Sequence, residues 1–153
     1  EKFCYNDLES NCTTYGGLYM WNEAMGYSTT SGAQGICPTG WHIPTDAEWY
    51  TLENYVDPTI NSPTATGWRG TDGGTKLKTG GSTGFNALLA GYCGTSGGFY
   101  YQGSSTFLWV STLSATNKAY HRGFNTGATV WRDGAAYGGA ENITFGFSVR
   151  CIK

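Results

Sequence analysis

An α+β domain is the fold class this sequence predicts, and three observations predict it. Helix-type patterning is confined to the first 56 residues, short strand-type segments fill the chain after Phe85, and glycine-rich turns rather than crossover helices separate those segments. The 153 residues suit a single domain that buries roughly 70% of the surface its unfolded chain exposes. The expected architecture is one domain over 1–153, with two helices packed on a small, twisted, mostly antiparallel sheet carrying long loops.

Along the chain, Cys4 and Cys12 bracket a short polar loop. Residues 16–26 read as the first helix, because Leu18, Trp21 and Met25 fall on one apolar stripe and Gly26 fits a C-terminal stop. Residues 45–56 carry the sharpest local signal. Thr45-Asp46-Ala47-Glu48 is a capping box, Trp49, Leu52 and Val56 share one face, and Asp57-Pro58 ends the helix. Glu53 falls on the polar side of that helix. Residues 57–84, rich in Thr, Gly, Ser and Pro, read as a long surface loop with a short turn around Lys76-Leu77-Lys78. The strand candidates are Ala87–Tyr92, Gly98–Tyr101, Phe107–Thr112, Lys118–Phe124, Thr129–Arg132 and Phe145–Ile152.

Composition narrows the function classes. Nine basic against eleven acidic side chains leave a net charge of −2, too little of either sign to recruit a polyanion, so nucleic acid is not an expected partner. No apolar run is long enough to span a bilayer, and no signal peptide or lipidation motif is present, so direct membrane insertion is not expected of this chain. Charged residues make up 13% and aromatics 16%. That is about half the usual charged share, and a surface rich in Tyr, Trp, Ser, Thr, Asn and Gly resembles a binding paratope. The bland alternative is a loop-heavy surface protein.

The five cysteines, Cys4, Cys12, Cys37, Cys93 and Cys151, contain no Cys-x-x-Cys spacing that would suggest zinc or a redox motif. A Cys4–Cys12 bridge would close the short loop, and a Cys37–Cys151 bridge would tie the first half to the last strand. Cys93 is then a buried, small apolar side chain. The sequence leaves the pairing open, but this usage favours an oxidising compartment.

Catalytic constellations are not evident. His42, between apolar neighbours, reads as partly buried and bonded to backbone; His121 lies in a strand and could face solvent. Neither has a nucleophile or carboxylate at a recognisable spacing, and no nucleophile elbow, P-loop or His-Glu-x-x-His occurs. Asp46 and Glu48 serve the helix start. Asp133, Glu141 and Asn142 would hold Ca²⁺ or a ligand hydroxyl only if the fold brings them together, and no EF-hand spacing supports that. No catalysis, metal or cofactor is expected.

Several strings then point to a family. Cys37-Pro38-Thr39-Gly40-Trp41-His42-Ile43-Pro44-Thr45-Asp46-Ala47-Glu48-Trp49, Tyr15-Gly16-Gly17-Leu18-Tyr19-Met20-Trp21, Gly84-Phe85-Asn86-Ala87-Leu88-Leu89-Ala90-Gly91-Tyr92, Trp109-Val110-Ser111-Thr112 and Gly146-Phe147-Ser148-Val149-Arg150-Cys151 resemble the Fibrobacter succinogenes major paralogous domain family, in the family's order. The resemblance implies a C-type-lectin-like fold, shared with formylglycine-generating enzymes and with variable proteins of diversity-generating retroelements. It also implies a secreted or surface-exposed location. Cys93 stands where the family commonly has Arg, and Leu113 where an acidic residue is common. The family's opening strand, with its Trp-Met-Ala-type motif, is expected to be absent from this sequence.

Strand alternation then places Tyr120, Arg122 and Phe124, which are family-like, on one face. His121, Thr129, Trp131 and Asp133 alternate with them, and Phe107, Leu113, Tyr137 and Asn142 extend that set from neighbouring turns. These eight are the candidate ligand-binding residues. The expected function is an extracellular ligand-binding or adhesion head, with a protein or carbohydrate ligand. The alternatives are a pilin-like structural subunit and a relative of the formylglycine-generating enzymes.

Overall fold

The computed structural model describes residues 2–133 and 141–153, and its architecture is α+β. Among the described residues, β1 (Lys2–Phe3) leads through a 3₁₀ turn to α1 (Glu9–Tyr15), β2 (Leu18–Tyr19), α2 (Trp21–Ala24) and α3 (Asp46–Val56). β3 (Gly67–Arg69), α4 (Gly73–Leu77) and a hairpin of β4 (Tyr92–Cys93) with β5 (Phe99–Tyr100) follow. The long strands β6 (Ser105–Ala115) and β7 (Lys118–Asn125), then β8 (Val130–Arg132) and β9 (Glu141–Asn142), complete the order. The central sheet runs β3-β8-β7-β6, all antiparallel, with β9 pairing the same edge of β7 further along.

α3 forms as its sequence dictates. Thr45 Oγ1 accepts from the Glu48 amide at 3.2 Å and the Glu48 carboxylate accepts from the Thr45 amide at 2.8 Å, the reciprocal capping box. Trp49 and Val56 then pack with Leu77, Leu108, Val110, Phe124 and Val130 into a core between α3 and one face of the sheet. A second core, around Trp21, Met25, Ile43, Trp109 and Phe147, covers the other face.

Several local expectations are corrected. The stretch 16–26 is not one helix: Gly16 takes φ +83°, Leu18–Tyr19 pairs with Lys2–Phe3, and only Trp21–Ala24 is helical. Leu18, Trp21 and Met25 are nonetheless all buried, so the stripe marked the core and not the backbone. The Cys4–Cys12 loop contains a helix, α1. The loop at 57–84 contains β3 and α4, so among the described residues there are four α-helices where two were expected. The segment 145–152 is no continuous strand. Gly146, Phe147, Ser148 and Ile152 each bridge a different partner, namely Cys93, Tyr19, Leu108 and His42.

Disulfides join Cys4 to Cys12 and Cys37 to Cys151, and Cys93 is a buried thiol. Burial, and secondarily the charge of Asp7, raises the Cys93 pKa, which favours the protonated thiol over the thiolate.

The sheet face toward α3 holds a buried ionic network. Glu53, expected on the polar side of its helix, is fully buried and accepts from Arg69 and, at 2.6 Å, from Arg122 Nε. Asp46 pairs with Arg122 at 2.8 Å and with Arg132 at 2.7 Å. Arg132 also lies over the Tyr120 ring. α3 is thus fastened to β3, β7 and β8 by charge as well as by apolar packing.

A second polar knot closes the far end of α3. The buried Asp57 carboxylate accepts backbone N–H groups of Thr71, Asp72 and Gly73 at 2.6–3.0 Å and the Thr59 hydroxyl at 2.5 Å. Burial opposes its ionisation, but these hydrogen bonds outweigh it and hold the pKa well below the usual carboxylate range. A carboxyl depressed in the folded state stabilises above its unfolded pKa of about 3.9 and loses that contribution as pH falls toward the folded value. Asp57→Asn is therefore expected to lose about 2–3 kcal/mol at pH 7. In urea titrations at a series of pH values the gap to wild type should narrow below about pH 4.

Candidate functional site

Strand alternation gives the central sheet two chemically distinct faces. Arg69, Arg122 and Arg132 share the α3 side, while the opposite parity carries Trp68, Trp131, Gly123 and Phe107. The registers Trp68↔Trp131, Gly123↔Trp131 and Phe107↔Gly123 put these four residues in one row across β3, β8, β7 and β6. Trp68 is 45% exposed; Trp131 and Phe107 are half-buried. The two indoles meet edge to face at 5.3 Å. Glycine at 123 leaves room for this packing: a Cβ there would lie 3.0 Å from the Trp131 Cβ and 3.2 Å from the Phe107 ring, tight enough that those neighbours would have to give by a few tenths of an ångström.

The row continues past Phe107. Tyr92 meets Phe107 at 5.4 Å, and Tyr100 and Tyr101 meet Tyr92 at 5.3 and 5.9 Å. Tyr101 is 59% exposed. The β4–β5 hairpin thus extends an aromatic line from the sheet edge at Trp68 toward the opposite side of the domain.

The other predicted site residues separate into groups. His121 does not face solvent: it is 2% exposed, its ring packed at 5.2–5.4 Å against Phe147 and Phe107. Asp133 is equally buried, with Oδ2 3.6 Å from His121 Nδ1, beyond hydrogen-bond range. Burial, reinforced by Arg122, pushes the His121 pKa down to about 3, so the imidazole is neutral at neutral pH. Both side chains lie on the predicted face but beneath it, because the second core covers this part of the sheet. Thr129 is half-buried and its carbonyl packs against Gly74 of α4. Leu113, half-buried, and Asn142, exposed, flank opposite edges of β7 near the β6–β7 hairpin end, opposite Ala119 and Lys118 respectively, away from the Trp68–Phe107 row. Tyr137 lies outside the described residues.

Of the predicted set, the fold brings Phe107 and Trp131 into one surface. It adds Trp68, which sequence reasoning missed inside the loop at 57–84, and the tyrosines of the hairpin. A lone Trp between Gly67 and Arg69-Gly70 in a Thr/Gly/Ser-rich stretch was the available signal, but three residues are too short for a period to register.

His42 is half-buried and its backbone pairs with Ile152, while its ring bonds the Glu48 carboxylate at 2.9 Å rather than backbone. Beside it, Trp41, Pro44, Leu52 and Phe85 line an apolar groove of about 410 Å³. Among the described residues the one cluster of metal-ligand type is Cys4, Glu9 and Cys12, whose sulfurs are consumed by the disulfide. Among them, too, no helix is long and apolar enough to cross a membrane.

Comparison with curated proteins and with solved structures returned no match. The family profile of the Fibrobacter succinogenes major domain matches residues 1–153. With the whole length matched, the chain belongs to the Fibrobacter succinogenes major domain family.

Proposed function

We propose that this domain is an extracellular ligand-binding or adhesion head, built on a C-type-lectin-like scaffold, and that it does no catalysis. One observation carries the reading. A row of exposed and half-buried aromatics, interrupted at β7 by Gly123, crosses the sheet on a framework pinned by two disulfides. Large rigid aromatics held at fixed spacing supply binding area with little entropy to lose. Two disulfides also fit an oxidising location outside the cytoplasm. On the same reading, the diversified surface of a retroelement-linked variable protein would coincide with these alternate strand positions.

Beads coated with the purified domain should adhere to at least one surface in a panel of bacterial cells, animal cells, matrix proteins and polysaccharide films. The Trp68→Ala/Trp131→Ala double variant should lose at least about tenfold in adhesion while its urea midpoint shows cooperative unfolding. Unchanged adhesion by the variant would reject this face. Concentration-dependent self-association through the same residues, with no adhesion, would support the structural-subunit reading instead.

A further inference from the structure

We infer that the occupant of the aromatic row is a single, soluble chain of uncharged sugar rings. This rests on the ligand-binding reading of that face and names the ligand class it takes.

Charge is the first argument. The three arginines of β3, β7 and β8 are turned to the α3 side and are committed to Glu53 and Asp46. Among the described side chains on the row's side of β6, β7 and β8 and the residue after β8, the titratable groups are His121 and Asp133, each 2% exposed. Neither offers a surface charge. A polyanion or a charged peptide would find no exposed charge among these described side chains, whereas interfaces between proteins are enriched in Arg beside their aromatic anchors.

Shape is the second. Trp68 to Phe107 spans three strand spacings, about 14 Å, and Tyr92, Tyr100 and Tyr101 lengthen the line. Among the described residues the row is long and narrow, whereas a protein partner of standard size covers about 800 Å² on each side. A sugar ring has apolar C–H faces that lie on an aromatic ring and hydroxyls at its edge that meet tyrosine O–H groups, the two-sided chemistry of Tyr and Trp.

Ring orientation is the third. Trp68 and Trp131 are inclined by 64°, and Tyr92 and Phe107 by 82°. Such rings cannot all lie against one flat plane. They suit a single flexible chain and not the flat face of a crystalline polymer.

Native gels containing mixed-linkage β-glucan, arabinoxylan, galactomannan or dextran test this, alongside a pull-down on crystalline cellulose. At least one soluble polymer should retard the wild type, equally at low and high salt (about 0.05 and 0.5 M). Trp68→Ala and Tyr101→Ala should each reduce the apparent affinity by about fivefold or more. Tyr55→Ala, 85% exposed on α3, should match wild type. Thermal melts establish that each variant is folded. Retardation by none of the four polymers, retention only on the crystalline material, or full retardation of both Trp68→Ala and Tyr101→Ala would overturn the inference. If adhesion to a protein surface depends on Trp68 while no polymer is bound, the sugar assignment falls and the binding face stands. If neither kind of binding depends on Trp68, the face itself falls.

Discussion

Glu53→Ala is expected to destabilise the domain by about 3–5 kcal/mol, the largest effect of any single side chain described here. Glu53 is completely buried and accepts from both Arg69 and Arg122. Removing it leaves two guanidinium groups, 8% and 0% exposed, with Asp46 as the remaining carboxylate of the network. The network is already short of acceptors, since Arg69 Nε and Arg122 Nη1 have no hydrogen-bond partner among the described residues. Glu53→Gln should fall in the same direction, because an amide keeps the shape and one acceptor but not the charge that offsets the arginines. Urea denaturation followed by Trp fluorescence measures this directly. A midpoint within error of wild type for Glu53→Ala would mean that water reaches the network and that its burial is not the source of its strength.

Loss of the Cys37–Cys151 disulfide is expected to be of similar size. The bridge closes a loop with a sequence separation of 114, and the chain-entropy model gives about 4–5 kcal/mol for such a loop. Cys4–Cys12, with a separation of 8, should contribute only about 2–3 kcal/mol. The Cys37→Ser/Cys151→Ser variant should therefore melt well below Cys4→Ser/Cys12→Ser, and reduced wild type should melt lowest. Calorimetry of the four forms checks the order. Equal melting temperatures for the two double variants would show that loop closure is not what the long bridge contributes. The bridge also fastens the final segment, whose Ile152 pairs with His42 just before α3, so its loss should loosen the helix start as well.

Much of the fold was legible in short-range pattern. The capping box at Thr45–Glu48 and the apolar repeat of Trp49, Leu52 and Val56 were sufficient for α3, because a helix is stabilised by bonds within four residues. The central parts of β6 and β7 were likewise readable as strands, at Phe107–Thr112 and Lys118–Phe124. The two-residue strands β1, β2, β4 and β9 were not, since no period can register over so short a span. They exist because another segment offers a partner, as Leu18 does for Phe3.

Glu53 and His121 show why the site was only half readable. Alternation put His121 on the same side as Trp131, which is right, but alternation says nothing about what covers that side. Phe147 and Trp109 pack against His121, while Trp68 in the neighbouring row is 45% exposed. Glu53 lies on the helix face that a polar residue marks as solvent, yet three arginines from three strands meet there. Composition, helix caps and alternation act over a few residues and are written locally in the chain. Burial of a charge, exposure of a tryptophan, and the joining of Phe107, Gly123, Trp131 and Trp68 into one line depend on partners up to dozens of residues apart, and take effect only when the folded chain sets them side by side.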